Sequence, residues 1–224
     1  AVVDEMAQVL VRPAHNVFIK ETQDYGAVLV SPGGEVFAAS RRYGVLMMVG
    51  MPMDDAIKSM GEDVREGDIF MSNDPEATGG MCTHLNDVFL WKPIFHEGKI
   101  VCYAWTFVHM SDVGGRVSGS IAPSSHELFQ EGIRIPPQKL FREGVLDEMF
   151  LRTFLINTRT AEQNWGDMKA CIAALTTAER RVGELIGRFG VGAIAGGVDK
   201  VLDYAETPAR RVISSGPEGV YRSS

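Results

Sequence analysis

Apolar and polar positions recur along this chain with two different periods. Through AVVDEMAQVLV the apolar side chains return every three or four residues (Val2 or Val3, Met6, Val9 or Leu10), which predicts a helix stopped by Pro13. AVLVS and EVFAAS, on either side of Pro32-Gly33-Gly34, predict a β-hairpin. MPMDDAIKSMGEDV predicts a helix entered near Pro52, and DIFMSN a short strand running into the turn-rich NDPEATGG. The almost wholly apolar DVFLWKPIF and IVCYAWTFV predict a long hairpin over residues 87–109. PSSHELFQEG then predicts a short helix, with Ser124 or Ser125 at its start and Gly132 at its end, and EGVLDEMFLRTFLIN predicts another. From Thr160 the signal is strongest. Thr160 and Gln163 spell a capping box; Trp165, Met168, Ile172, Leu175, Val182, Leu185 or Ile186 and Phe189 recur at helical spacing, and Gly190 closes the run. GVDKVLDYAET predicts a shorter helix ended by Pro208, and ISSGPEGVYRSS a turn and the opening of a strand.

Together these elements predict an α+β fold: an antiparallel sheet built around the 87–109 hairpin and flanked by helices, the long 160–189 helix among them. Residues 1–215 are expected to form one portion of the molecule, and 216–224 to begin a further domain that continues beyond the chain.

Both hairpin segments carry their aromatics on odd numbers: Phe89, Trp91 and Phe95 on one, Tyr103, Trp105 and Phe107 on the other. If those rings share a face, the numbers of facing residues sum to an even value. A two-residue Glu97-Gly98 turn makes the sum odd; a three-residue loop, His96-Glu97-Gly98 with Gly98 left-handed, makes it even and is the expectation. Asp87 then faces Phe107, with His109 its diagonal neighbour on the same face at roughly 7–8 Å between Cα atoms. His84, three residues before Asp87, can fold over the same end. The residues alone leave two readings open: a metal held by His84, Asp87 and His109, or a solvated hairpin end.

Composition narrows the setting. In 224 residues, 45% are apolar, enough for a sizeable core, and 23% are charged, as in ordinary globular chains. A net charge of −7 argues against nucleic acid or an anionic membrane as the main partner. No apolar run approaches the roughly 18–20 residues of a membrane span. Three cysteines form no disulfide framework and point to a reducing, cytoplasmic setting; Cys102 and Cys171 read as small core residues, and Cys82 as core or a soft metal ligand. Asp74 in Ser-Asn-Asp-Pro reads as an Asx-turn residue. No GxxxxGK[ST] loop is present.

At NDPEATGGMCTHLNDV, FVHMSDVGGRVSGS and QEGIRIPPQKL the chain resembles the hydantoinase B / oxoprolinase family, with an ordered match from DEMAQVLVRPAHN to PEGVY. The family contributes subunits to ATP-dependent lactam and hydantoin hydrolases and to acetone- and acetophenone-type carboxylases. The resemblance implies a divalent metal, zinc, manganese or iron, on His84, Asp87 and His109. Asp24 is a further ligand candidate, from a segment where the family has Glu-Arg-x-Asp-Phe and this chain Glu-Thr-Gln-Asp-Tyr, so Thr22 and Tyr25 depart from the pattern. It also implies a cyclic-amide hydrolase working in a hetero-oligomer with a hydantoinase A-like, kinase-type subunit that carries ATP and phosphorylates the amide oxygen. A ketone carboxylase subunit, or a scaffold with a structural metal, are the rival readings. Asp112, three residues after His109 beside Gly114-Gly115, is the candidate catalytic residue, as a base, as an orienter of a ligand imidazole or as a cap.

Overall fold

The protein, described here from a computed structural model, is defined at every residue except Pro52, Tyr221, Ser223 and Ser224 and the side chain of Ala195. The helices are α1 (Val2–Val11), α2 (Val17–Lys20), α3 (Asp54–Ser59), α4 (Glu148–Ile156), α5 (Ala161–Phe189) and α6 (Val191–Ser214). The strands are β1 (Tyr25–Val30), β2 (Val36–Ala39), β3 (Ile69–Ser72), β4 (Asp87–His96), β5 (Lys99–His109), β6 (Gln138–Arg142) and β7 (Val145–Leu146). They form one seven-stranded sheet in the order β2-β1-β5-β4-β3-β6-β7, every pairing antiparallel. The fold is α+β, with the long hairpin at the centre of the sheet as its pattern predicts.

The sheet is covered on both faces, which is why β4 and β5 read as continuous apolar runs. Even-numbered residues such as Val88, Leu90, Cys102, Ala104 and Val108 pack in one cluster with Met6, Leu10, Met168, Cys171 and Leu175 of α1 and α5. Odd-numbered Phe89, Trp91, Trp105 and Phe107 pack on the other face under Met48, Met53, Met81 and Cys82. Trp91 stacks on Trp105 at 4.5 Å between centroids, and Phe89 on Phe107 at 5.4 Å. Lys92 breaks the apolar run on the helical side and pairs with Glu179 of α5 at 3.2 Å. A cation placed there without an acid would be costly to bury, and the helix supplies the acid.

The hairpin register differs from expectation by two residues. Glu97 and Gly98 both have positive φ, 49° and 75°, and close the two-residue turn that the parity argument had set aside. His96 faces Lys99, but between Ile94 and Phe95 the register shifts, so that from Ile94↔Cys102 onward the sums are even. A bulge, with Val101 as the extra residue, restores the shared aromatic face that the loop was expected to provide. Phe89 faces Phe107, Trp91 faces Trp105, and Asp87 directly faces His109.

Other boundaries also moved. The capping box at Thr160 is not made: the Thr160 hydroxyl donates to Asn164 Oδ1 at 3.0 Å, and the Gln163 amide goes to Ser111 Oγ at 3.2 Å. Thr160 is still the N-cap residue but bonds a side chain in the first turn of its own helix, and Gln163 ties α5 to the loop after β5. Phe189 is 56% exposed, so the buried stripe ends at Ile186. The helix expected over 124–132 is a single 3-10 turn, Leu128–Gln130, where the Gln130 carbonyl accepts from Arg116 N and its side-chain oxygen from His126 N. Val145–Leu146 is a strand closing onto β6, and α4 starts only after Asp147, whose carboxylate accepts from Phe150 N at 2.9 Å. Pro208 does not end α6, which runs on to Ser214; the helix is exposed there, so the carbonyl left without a donor meets water. Pro52, expected near the start of α3, lies outside the described residues, as do three residues of the 216–224 tail.

Candidate metal centre

β5 and β4 end side by side, and the pairing of Asp87 with His109 brings carboxylate and imidazole together at the end of the aromatic face. His109 Nδ1 lies 3.4 Å from Asp87 Oδ1. His84, in the loop leading into β4, turns back so that its Nε2 is 3.2 Å from Asp87 Oδ2. That loop is closed by Asp87 N donating to the His84 carbonyl. The two imidazole centroids are 5.0 Å apart. Asp24 arrives from the mouth of β1: its carbonyl accepts from His109 N at 3.2 Å, and its Oδ2 is 3.6 Å from His109 Nδ1. The antiparallel ladder therefore sets out rows on one face. Phe107 has Gly26 and Phe89 as its partners on either side, and the row of Asp24, His109 and Asp87 lies just beyond.

The electrostatics are those of acids and imidazoles sharing one proton-hungry space. Burial pushes the Asp87 carboxyl up, but hydrogen bonds from His109 and His84 outweigh it and hold it below the usual carboxylate value. The same bond to Asp87 pushes His84 up, against the opposing effect of burial. Asp24 is pushed up, mainly by burial and further by the charge on Asp87, with His109 pulling the other way.

These residues fit a divalent ion. One donor atom each from His84, Asp87 and His109 lie within 4.8 Å of one another. Ligand bonds of about 2.0–2.2 Å place donors roughly 3–4 Å apart across an ion, so the 3.2 and 3.4 Å separations already match. His84 Nδ1 is moreover buried without a partner, an unusual state for a ring nitrogen. Among the described residues no second cluster of three His, Cys, Asp or Glu converges in this way. Cys82 is not part of it: it packs under the aromatic face, and burial pushes its thiol up to about 12, away from the thiolate a metal needs.

Asp112 takes a different place from the one expected of a catalytic residue. Its Oδ1 accepts from Gly114 N and Arg159 N, and its Oδ2 from Gly119 N and the Arg159 guanidinium, all at 2.9–3.1 Å. Burial pushes its carboxyl up, but those donors prevail and hold it low. With both oxygens engaged, Asp112 organises the 112–119 loop. Gly114 and Gly115 serve close packing there: a Cβ on Gly115 would lie 2.4 Å from the backbone of Gln130 and Glu131. Asp74 caps its own turn, accepting from Glu76 N and Ala77 N.

Sequence reasoning missed the residues that hold the candidate ligands in place. Four asparagines, each fully buried, donate to backbone carbonyls around the site. Asn16 donates to the His109 carbonyl at 2.5 Å, Asn86 to Met110, Asn73 to Leu85 and Asn164 to Asp112, each of these last three at 2.8 Å. Arg159 adds bonds to the carbonyls of Gly114, Gly115 and Val117. Asn16 and Asn86 had a visible signal, since one precedes the α2 apolar pair and the other adjoins Asp87. Arg159 had none.

The architecture is thus an antiparallel α+β sheet whose central strands deliver two imidazoles and a carboxylate to one point. The family described as Hydantoinase B/oxoprolinase matches residues 1–224, and the chain belongs to that family. Caprolactamase subunit beta of Pseudomonas jessenii is 32% identical over 161 residues, covering 72% of this chain and 27% of the relative. Acetophenone carboxylase delta subunit of Aromatoleum aromaticum is 26% identical over 222 residues, covering 99% of this chain and 32% of the relative. The crystal structure of ATP-dependent caprolactamase from Pseudomonas jessenii superposes with a TM-score of 0.81 at 27% identity, over 97% of this chain and 37% of that one. The chain therefore spans well under half the length of these relatives. Among the described residues no helix is long and apolar enough to cross a membrane.

Proposed function

We propose that this chain is the metal-holding, hydrolytic portion of an ATP-dependent cyclic-amide hydrolase acting on a lactam, oxoproline or hydantoin. The observation that carries the reading is the convergence of His84, Asp87 and His109 at the end of the central strands. These three, with Asp24 as fourth ligand on the more open side, would hold the ion; two imidazoles and two carboxylates suit zinc, manganese or iron. A divalent ion so held supplies Lewis acidity that brings the pKa of water toward neutrality. Asp87 keeps both imidazoles turned toward the shared point, and Asp112 with Arg159 keeps the neighbouring loop in shape as a positioning residue. An unstrained amide resists water, so a kinase-type partner subunit carrying ATP is assigned the activation of the amide oxygen. The relatives' printed descriptions, a caprolactamase subunit beta and an ATP-dependent caprolactamase, support both the reaction and the divided machine. A second reading, a ketone carboxylase subunit using the same site, is supported by the acetophenone carboxylase relative.

The test is product formation alongside ADP release, with the chain, a relative of full family length and the kinase-type partner in each combination. Caprolactam, 5-oxoproline and hydantoin are compared with acetone and acetophenone plus bicarbonate. Hydrolysis requiring ATP and partner, absent with the 224 residues alone, is expected; carboxylation without lactam turnover selects the second reading, and efficient ATP-independent hydrolysis by the chain alone removes the proposal.

A further inference from the structure

We infer that Asn16, braced by Asp167 of α5, is a positioning residue for His109, fixing where that imidazole stands relative to His84 and Asp87; the inference rests on the metal reading of the site. Asn16 occupies the N-cap of α2, its Oδ1 accepting from Phe18 N at 2.8 Å. Capping alone does not select asparagine, because serine, threonine or aspartate serve there as well. What asparagine adds is a donor, and its Nδ2 donates to the His109 carbonyl at 2.5 Å in a fully buried setting. The capped turn also carries Phe18, whose ring lies 4.6 Å from the His109 ring at a tilt of 57°. One side chain thus sets both the backbone of His109 and the ring against its imidazole.

Asn16 is itself held from α5. Asp167 Oδ1 accepts from His15 N at 2.7 Å and Asn16 N at 3.4 Å. Asp167 is fully buried and its other oxygen has no partner. A buried carboxylate left half-satisfied is costly, and no part of the proposed reaction uses it. Its two backbone donors account for its place: they seat the His15–Asn16 segment against the long helix. Gly166 makes room for this, since a Cβ there would lie 2.5 Å from the His15 ring. The path runs from the rigid helix through a backbone clasp and one amide to the strand end that bears the ligand. Groups that orient a metal-bound histidine in this way tune affinity without touching the ion.

Asn16→Ser separates the two roles of the residue, keeping a good cap while losing the reach to the His109 carbonyl. Zinc affinity of the 224-residue chain, read by competition with a chromophoric chelator, is expected to fall roughly 10–100-fold in Asn16→Ser. Thermal unfolding of the metal-free variant is expected a few degrees below that of the unsubstituted chain, the cost of one buried hydrogen bond, with the fold kept. Should Asn16→Ser not fold, Asn16→Thr, also a cap and also too short to reach the carbonyl, takes the same measurements. Equal zinc affinity in variant and unsubstituted chain overturns the inference and leaves the metal reading standing. If the unsubstituted chain binds no zinc, the metal reading falls and this inference falls with it.

Discussion

The two ends of the β4–β5 hairpin each carry a histidine, and they have become different kinds of place. At the turn, His96 faces Lys99 beside the exposed Glu97-Gly98 and lines an apolar cavity of about 560 Å³ with Pro32, Val101, Val191 and Leu202. At the other end, His109 is 7% exposed and faces Asp87, with His84 and Asp24 beside it and Asn16 on its carbonyl. Having a histidine at a strand end decides nothing. Chemistry comes where neighbouring elements bring acids to the imidazole and buried amides stop the backbone from shifting.

The widest contrast is between substitutions at the two ends. His109→Ala is expected to abolish stoichiometric divalent metal in the purified chain, whereas His96→Ala leaves it unchanged; elemental analysis of both reads the difference, and metal retained in His109→Ala breaks the comparison. The stretch joining the ends should matter to both. Trp105, stacked on Trp91 and fully buried, is expected to cost about 3–5 kcal/mol on replacement by alanine, measured by denaturant unfolding. A loss below 1 kcal/mol would mean that the aromatic face does not support the hairpin.

Asp24 sharpens the picture at the His109 end alone. It is more open than Asp87 and farther from the imidazoles, so Asp24→Asn is expected to weaken zinc by about tenfold, less than any change to the three central ligands. Affinity lost as completely as in His109→Ala would make Asp24 an equal member of the set. The smallest effect is expected from deleting Val101. Removing the extra residue of the bulge lets the two-residue turn run directly into a ladder that still pairs Asp87 with His109, so zinc affinity should be kept. Deleting Thr106, on the metal side of the bulge, would instead turn His109 to the helical face; chelator competition on the two deletions distinguishes them.

The same hairpin shows what could be read in the residues. Aromatics on odd numbers revealed the shared face and, with it, that Asp87 and His109 lie together. They did not reveal the register, because the bulge at Val101 sits in IVCY, where no glycine or proline marks it. The 29-residue α5 was legible from its periodicity and both its ends from Thr160 and Gly190, while the capping bonds were not, because Thr160 and Gln163 spend their side chains on Asn164 and Ser111. His84, Asp87 and His109 were legible as a spacing, and Asp24 only through family resemblance. The asparagines were not, since a lone Asn reads as a turn former until the fold shows which distant carbonyl it meets. Asp112 stood out for its neighbours in sequence, but its decisive partner, Arg159, is 47 residues away.

That β4 and β5 are the central strands, each paired on both sides, bears on how the site would fill. Amides in the middle of such a sheet exchange with solvent only through large openings of the whole unit. The proposed ligands Asp87 and His109, carried on the ends of these strands, would therefore be in place before any ion arrives. In this the chain differs from small domains that collapse around zinc, whose folding and loading are one event. Uptake here would be paced by the ion shedding its water, and a chelator should strip the site while the sheet's slow-exchanging amides stay protected.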